Sequence, residues 1–248
     1  MACLRCVPFL VFTLYVLACR PEAWAAGRDE DLFVRAEDLR TVLFGSIDAG
    51  RSVFVSGGAK QTLVGPLDRP GYVLMETTGY GLTPERFRGE ANLSATRFSS
   101  QASVLAGYQH TGGVYLAALG GPEITQKQLT VANRVYRISE ARLGFRGQVE
   151  LWAHPSRDTL VTGTLVGSSS LGSLWARASA GYRIWAGAFL GPEVTVYVTH
   201  TYRETRWGAH LTGAALGILN LRVSAGWMTT DDAARGSPYV GLTGWIRM

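Results

Sequence analysis

SEARLGFRGQVELW, Ser139 to Trp152, decides the fold. In an extended chain Glu140, Arg142, Gly144, Arg146, Gln148 and Glu150 share one face, and Ala141, Leu143, Phe145, Gly147, Val149 and Leu151 share the other. A period of two with opposite polarity on the two faces describes a strand with one polar and one apolar side. Soluble antiparallel sheets alternate as well, so length carries the next step. Strands in water usually run about five or six residues, whereas crossing a bilayer at a tilt takes about 9 to 11. Arg and Glu set among Gly on one face also suit the polar interior of a barrel better than a dry sandwich core.

The same rule extends in both directions along the chain. Trp175, Arg177, Ser179, Gly181 and Arg183 alternate with Ala176, Ala178, Ala180, Tyr182 and Ile184. Ser99, Gln101 and Ser103 oppose Ala102, Val104, Ala106 and Tyr108, and Arg206, His210 and Thr212 oppose Trp207, Ala209 and Leu211. About twelve such runs fall near 41–49, 51–64, 71–80, 97–109, 113–119, 139–152, 159–168, 173–185, 187–199, 205–216, 218–228 and 238–247, with turn residues between them. An even number of strands, ten to twelve, is consistent with a closed ring. The expected fold is therefore all-β, an antiparallel up-and-down transmembrane β-barrel of about 12 strands over residues 41–248. The gaps at 82–96 and 120–138 are expected to be extracellular loops, because outer-membrane barrels keep their periplasmic turns short. In the last strand Val240, Leu242, Ile246 and Met248 share one face and Tyr239, Thr243 and Arg247 the other, and the chain stops where the strand does.

Upstream of the barrel, Arg5, the apolar run Val7 to Ala18 and the small residues flanking Trp24 predict a cleaved signal peptide over 1–25. Val16-Leu17-Ala18-Cys19 also resembles a lipoprotein processing box, so processing at Cys19 and cleavage after Ala25 both stand as readings. Residues 26–40 are highly charged, with a weak helical pattern, and are expected to form a periplasmic lead-in. All three cysteines precede Ala25, so a chain cleaved there has neither disulfides nor thiolate ligands.

Composition narrows the function. Charged residues make up 17% of the chain and the net charge is +5, yet the basic residues are scattered singly, which disfavours a nucleic-acid surface. Beyond the leader no apolar run approaches the ~20 residues of a spanning helix. No metal or cofactor motif is present: the sequence has neither HExxH nor EF-hand spacing, and the chain expected after cleavage at Ala25 has no paired Cys. The histidines His110, His154, His200 and His210 stand near no serine and acid at a spacing that singles out a catalytic set, so no catalytic residue is assigned. The candidate functional residues are the charges expected to face the lumen: Glu140, Arg142, Arg146, Glu150, Arg177, Arg183 and Glu193, with Arg206 and Arg222 beside them. They either pair across the lumen and plug it or line a polar path or docking surface for a hydrophilic polymer. Tyr72, Tyr80, Tyr108, Tyr115, Trp152, Tyr182, Trp185, Tyr202, Trp207, Trp227 and Trp245 fall mostly near strand ends, as interfacial girdles would, with sugar stacking as the alternative.

Four stretches together resemble one family. Trp175-Ala-Arg-Ala-Ser-Ala-Gly-Tyr-Arg183, Phe189-Leu-Gly-Pro-Glu-Val194, Ser103-Val-Leu-Ala-Gly-Tyr-Gln109 and Leu43-Phe-Gly-Ser-Ile-Asp48 are similar to the cellulose biosynthesis protein BcsS family of alphaproteobacteria, over roughly Thr41 to Met248. The resemblance implies a non-enzymatic outer-membrane barrel that serves cellulose (exopolysaccharide) synthesis and export. Its implied partners are outer-membrane lipid and either cellulose or the cellulose synthase export machinery. It carries over no catalytic residue. A lipid-modifying outer-membrane enzyme and a small porin-like barrel are the alternatives. Pro192 removes a ladder donor, so it is expected to mark a bulge or a strand start, with Glu193 redirected.

Overall fold

The computed structural model describes residues 39–86, 94–131, 134–185, 187–231 and 235–248, so the expected signal peptide and most of the lead-in lie outside the described residues. The strands are β1 (Thr41–Ala49), β2 (Val53–Thr62), β3 (Gly71–Arg86), β4 (Ser94–His110), β5 (Val114–Val131), β6 (Arg134–Ile138), β7 (Arg142–Ser156), β8 (Thr159–Ser168), β9 (Ser173–Trp185), β10 (Ala188–Val198), β11 (Arg203–Leu216), β12 (Leu219–Thr230) and β13 (Ser237–Arg247). Each pairs antiparallel with its neighbour in the chain, except that β6 pairs with β5 alone and β7 returns to β5. β13 pairs with β1 from Arg247 opposite Val42 to Val240 opposite Ala49. Setting β6 aside from the thirteen leaves twelve strands, and they close into a ring without a free edge.

Directly opposed residues project to the same side, so the register sorts the ring into two faces. Phe44, Lys60, Met75, Leu105, Leu119, Glu150, Thr162, Ser179, Glu193, His210, Arg222 and Thr243 follow one another across the strands on the inner face. On the outer face Ile47, Val55, Leu116, Val149, Leu165, Val194 and Val240 are exposed. A protein surrounded by water rarely leaves an apolar patch above a few hundred Å² uncovered, and this one encircles the ring. Hydrocarbon is the solvent that fits it.

At one end of the ring, the terminal end, the Thr41 N–H donates to the Met248 carbonyl at 2.7 Å and the Met248 N–H to the Thr41 carbonyl at 2.9 Å. Here the connections are mostly tight: Thr111 to Gly113, Arg157-Asp158, and a turn at Gly217, whose φ of 61° lies in the left-handed region open to glycine. The opposite, distal end is uneven. β3, β4 and β5 run 16, 17 and 18 residues and rise past their neighbours, with β6 added to the upper part of β5. Much of the expected loops at 82–96 and 120–138 is therefore strand. The reason lies in Thr125-Gln126-Lys127-Gln128: above the bilayer both faces of a ribbon meet water, so the polarity contrast that marks a strand disappears while the pairing continues.

The aromatic residues divide between the faces. Tyr72, Tyr80, Tyr108, Tyr182, Trp207 and Trp227 are exposed on the outer face, as girdles are. Tyr115, Trp152 and Trp245, expected beside them, point inward. Alternation fixes that two faces differ; closure decides which one is inside.

Candidate functional site

The inner face is built differently in its two halves. Towards the terminal end it is filled. Trp152 of β7 and Trp245 of β13 stand six places apart in a ring of twelve strands, on opposing walls, and their rings meet edge to face with centroids 5.9 Å apart. Lys60 Nζ donates to Glu150 Oε2 at 2.5 Å and to the Tyr115 hydroxyl, joining β2 to β7 and β5, while Gln148 Nε2 donates to Glu150 Oε1 at 2.7 Å. Beside this pair Val73, Met75, Leu105, Ala117 and Leu119 form an apolar cluster flanked by Phe44 and Tyr115. Gln109 Nε2 donates to the carbonyls of Leu67 and Arg69, drawing the β2–β3 connection against the lumen. Phe189 packs on His154 with centroids 5.5 Å apart.

At mid-height Arg222 of β12 reaches across β11. It pairs with Glu193 of β10 and donates to Ser179 Oγ at 2.9 Å and Thr162 Oγ1 at 3.2 Å, and both partners of the ion pair are 3% exposed. Ser224 Oγ adds a bond to Glu193 at 3.3 Å. Two ions taken this far from water persist only with this many partners. Glu123 is held in a similar way. Its Oε1 accepts from Ser168 Oγ at 2.5 Å, Ser170 Oγ at 2.8 Å and the Ser170 N–H at 3.2 Å.

Glu123 and Glu193 occupy a repeated motif, Gly121-Pro122-Glu123-Ile124-Thr125 and Gly191-Pro192-Glu193-Val194-Thr195. In both, Glu and Thr are buried on the inner face, and pairing to the preceding strand skips Gly and Pro with the register unchanged on either side. Pro192 therefore sits inside β10 and neither begins it nor bulges it; the irregularity of that strand lies at Ala188 and Phe189. A Cβ at Gly121 or Gly191 would strike the carbonyl oxygen of Val104 or Ala180 on the strand before, so only glycine permits the close approach there.

Towards the distal end the inner face opens. Trp175 of β9 and Tyr197 of β10 are cross-strand neighbours and only half-buried, with the Arg177 guanidinium 5.4 Å from the centre of the Trp175 ring. Tyr197 tilts against Tyr202 at 6.2 Å, and the Tyr202 hydroxyl donates to Glu204 Oε2 at 2.8 Å. Arg206 Nε donates to Glu204 Oε1 at 2.6 Å, its Nη1 lies 3.5 Å from Asp48 Oδ1, and its guanidinium covers the Tyr239 ring at 5.5 Å. A belt of aromatic rings and compensated charge thus lines the distal mouth from β9 to β1.

The residues singled out by sequence fall in three places. Arg146, Glu150, Arg177 and Glu193 lie on the inner face of the lumen, together with Arg206 and Arg222. Arg142 shares that face but is exposed at the distal end of β7, and Glu140 is exposed just before the strand begins. Arg183 is exposed at the terminal rim, where it meets Asp158 and covers Phe189. Sequence alone missed Lys60, Asp48, Glu123 and Glu204. Glu123 sat in a stretch expected to be a loop, Asp48 and Glu204 at strand ends, and Lys60 in a run whose alternation glycine obscures.

The histidines are dispersed. His110 ends β4 at the terminal end, His154 packs on Phe189, and His200 lies at the distal β10–β11 turn. His210 is buried, with Nδ1 2.8 Å from Thr212 Oγ1 and Nε2 3.3 Å from the Ala180 carbonyl. Among the described residues, none of the four shares a hydrogen bond with both a serine and an acid, and no group of three or more His, Cys, Asp or Glu side chains could hold a metal ion.

A closed twelve-strand ring with an apolar belt outside and ion pairs within is an outer-membrane β-barrel. The β domain of the Bordetella autotransporter BrkA shares this fold, with a TM-score of 0.50 and 15% identity over 86% of this chain and 99% of that one. A KdgM porin aligns with a TM-score of 0.48 and 8% identity over 83% of this chain and 98% of its own. No curated protein matches the sequence. The family model of the cellulose biosynthesis protein BcsS matches residues 42–248, and the chain belongs to that family. Its role lies in cellulose biosynthesis.

Proposed function

We propose that this barrel is a non-enzymatic accessory of cellulose export whose distal vestibule docks the emerging glucan, rather than a channel through which the polymer passes. The observation that carries this reading is the pairing of a filled terminal half, crossed by Trp152 and Trp245, with a half-exposed mouth that displays Trp175 and Tyr197 beside Arg177 and Arg206. A polymer needs an open bore, which the tryptophan pair interrupts. A sugar ring offers C–H faces to aromatic planes and hydroxyls to charged groups, and the mouth supplies both. Outer-membrane barrels keep periplasmic turns short, so the terminal end belongs to the periplasm and the vestibule to the cell surface. The export machinery would then meet the terminal end, and the polymer the distal one. The dispersed histidines favour this reading over a lipid-modifying enzyme.

Two measurements test it. Deleting the gene while the synthase stays at its normal level should lower dye-binding cellulose at the cell surface, and unchanged cellulose would overturn the role in export. In purified folded barrel, cello-oligosaccharides should quench tryptophan fluorescence, and Trp175→Ala with Tyr197→Ala should weaken the binding about thirtyfold, each stacked ring being worth roughly 1 kcal/mol. Binding undiminished in that variant would place the glucan elsewhere.

A further inference from the structure

One side chain breaks the rule of the outer face. Glu76 of β3 lies opposite Ala59 of β2 and Val104 of β4, both on the outer face, while its chain neighbours Met75 and Thr77 point inward. It is exposed and makes no side-chain hydrogen bond or ion pair among the described residues. Tyr72 and Tyr80, four residues to either side on the same strand and the same face, mark the two girdles. Four residues span roughly 13 Å along a strand, or about 10 Å along the membrane normal at a tilt near 40°. Glu76 therefore sits halfway through the hydrocarbon layer, too deep for its short side chain to reach either headgroup zone.

Between the girdles it is the one charged side chain on the outer face among the described residues. Arg203, also in outward register, begins β11 at the distal rim, outside this layer. A carboxylate facing lipid is costly and opposes barrel stability, so its place calls for something that removes it from hydrocarbon. The surroundings suit close approach by another backbone: Gly45, Gly57, Ala59, Thr78 and Ala102 surround Glu76 on the outer face of β1 to β4. Small residues let transmembrane segments pack tightly, and a polar group holds them in register.

We infer that the outer face of β1 to β4 is an intramembrane docking surface for a membrane-spanning segment of a different protein, which presents a lysine or arginine to Glu76 at mid-depth. Charge complementarity selects that occupant. A second copy of this chain offers no outward cation at this depth among the described residues, and lipid carries its cations only at the headgroups. Opposed Glu76 carboxylates from two copies would repel.

The test uses a photo-crosslinking amino acid in cells that make cellulose, placed at Ala59 or Ala102 beside Glu76 and, as a control, at Val194 of β10 on the opposing wall. The expected product is an adduct from Ala59 or Ala102, and not from Val194, with another chain, whose cross-linked peptide maps to a membrane-spanning segment containing Lys or Arg. Glu76→Leu should reduce it at least tenfold, and Glu76→Asp should restore part of it. In liposomes, the isolated Glu76→Leu barrel should fold with an equilibrium constant about tenfold higher than the natural sequence, since it loses a carboxylate facing lipid and no partner. An adduct with a second copy, no adduct, an adduct indifferent to Glu76→Leu, or a less stable Glu76→Leu barrel would each overturn the inference. Neither readout depends on cellulose, so its failure is separate from that of the export reading.

Discussion

The terminal and distal halves of the lumen are walled by the same strands and both pair their charges, yet they differ in how far aromatic rings and cations remain open to water. Below and at mid-height the ion pairs are closed on themselves: Lys60 meets Glu150 and Tyr115, and Arg222 meets Glu193, Ser179 and Thr162. Above, Arg177 lies on Trp175 and Arg206 on the buried ring of Tyr239, and Trp175 and Tyr197 stay half open to solvent. A polar barrel interior is therefore not by itself a pore. Groups that meet only one another in a dry interior leave nothing for a passenger, and function is to be sought where rings and cations still meet water.

The contrast can be broken most forcefully at mid-height. Arg222→Ala strands Glu193 in a nearly dry site and should cost about 3–5 kcal/mol in urea unfolding from liposomes, whereas Arg222→Met with Glu193→Leu should restore most of it. A single variant within 1 kcal/mol of the natural barrel would show that water already reaches the pair. Next comes the tryptophan crossing. Replacing Trp152 and Trp245 with Ala should cost about 2–3 kcal/mol, less than fully buried tryptophans would, and turn a barrel that passes almost no current in a planar bilayer into a conducting one. Steady conductance before mutation would mean the lumen is open. In the vestibule, Trp175→Ala should change stability by under ~1 kcal/mol, because the ring is already half in water. The smallest effect belongs to the terminal rim. Arg183 and Asp158, 44% and 55% exposed at 3.7 Å, should contribute no more than ~0.5 kcal/mol, so Arg183→Ala should leave the unfolding midpoint almost unmoved.

Period-two alternation in Ser139 to Trp152 and Leu174 to Ile184 was enough to give strand identity, the two faces and a closed barrel of about twelve strands, because a side chain on a strand has only two directions to point. The family was also legible in the order of short motifs. Strand ends were less so: β3 to β5 outrun the bilayer, and in water the alternation loses its contrast.

Which groups meet is settled by the closing of the ring. Trp152 lies ninety-three residues before Trp245, and Lys60 ninety before Glu150, separations no local pattern encodes. Curling the sheet into a ring brings opposing walls together, and that closure turns Trp152 and Trp245 into a plug, makes Arg222 the centre of a network and leaves Glu76 facing hydrocarbon. Sequence assigns each residue a side of the wall; only the closed ring supplies its neighbours across it, and the strength of a buried charge or a stacked ring depends on those neighbours.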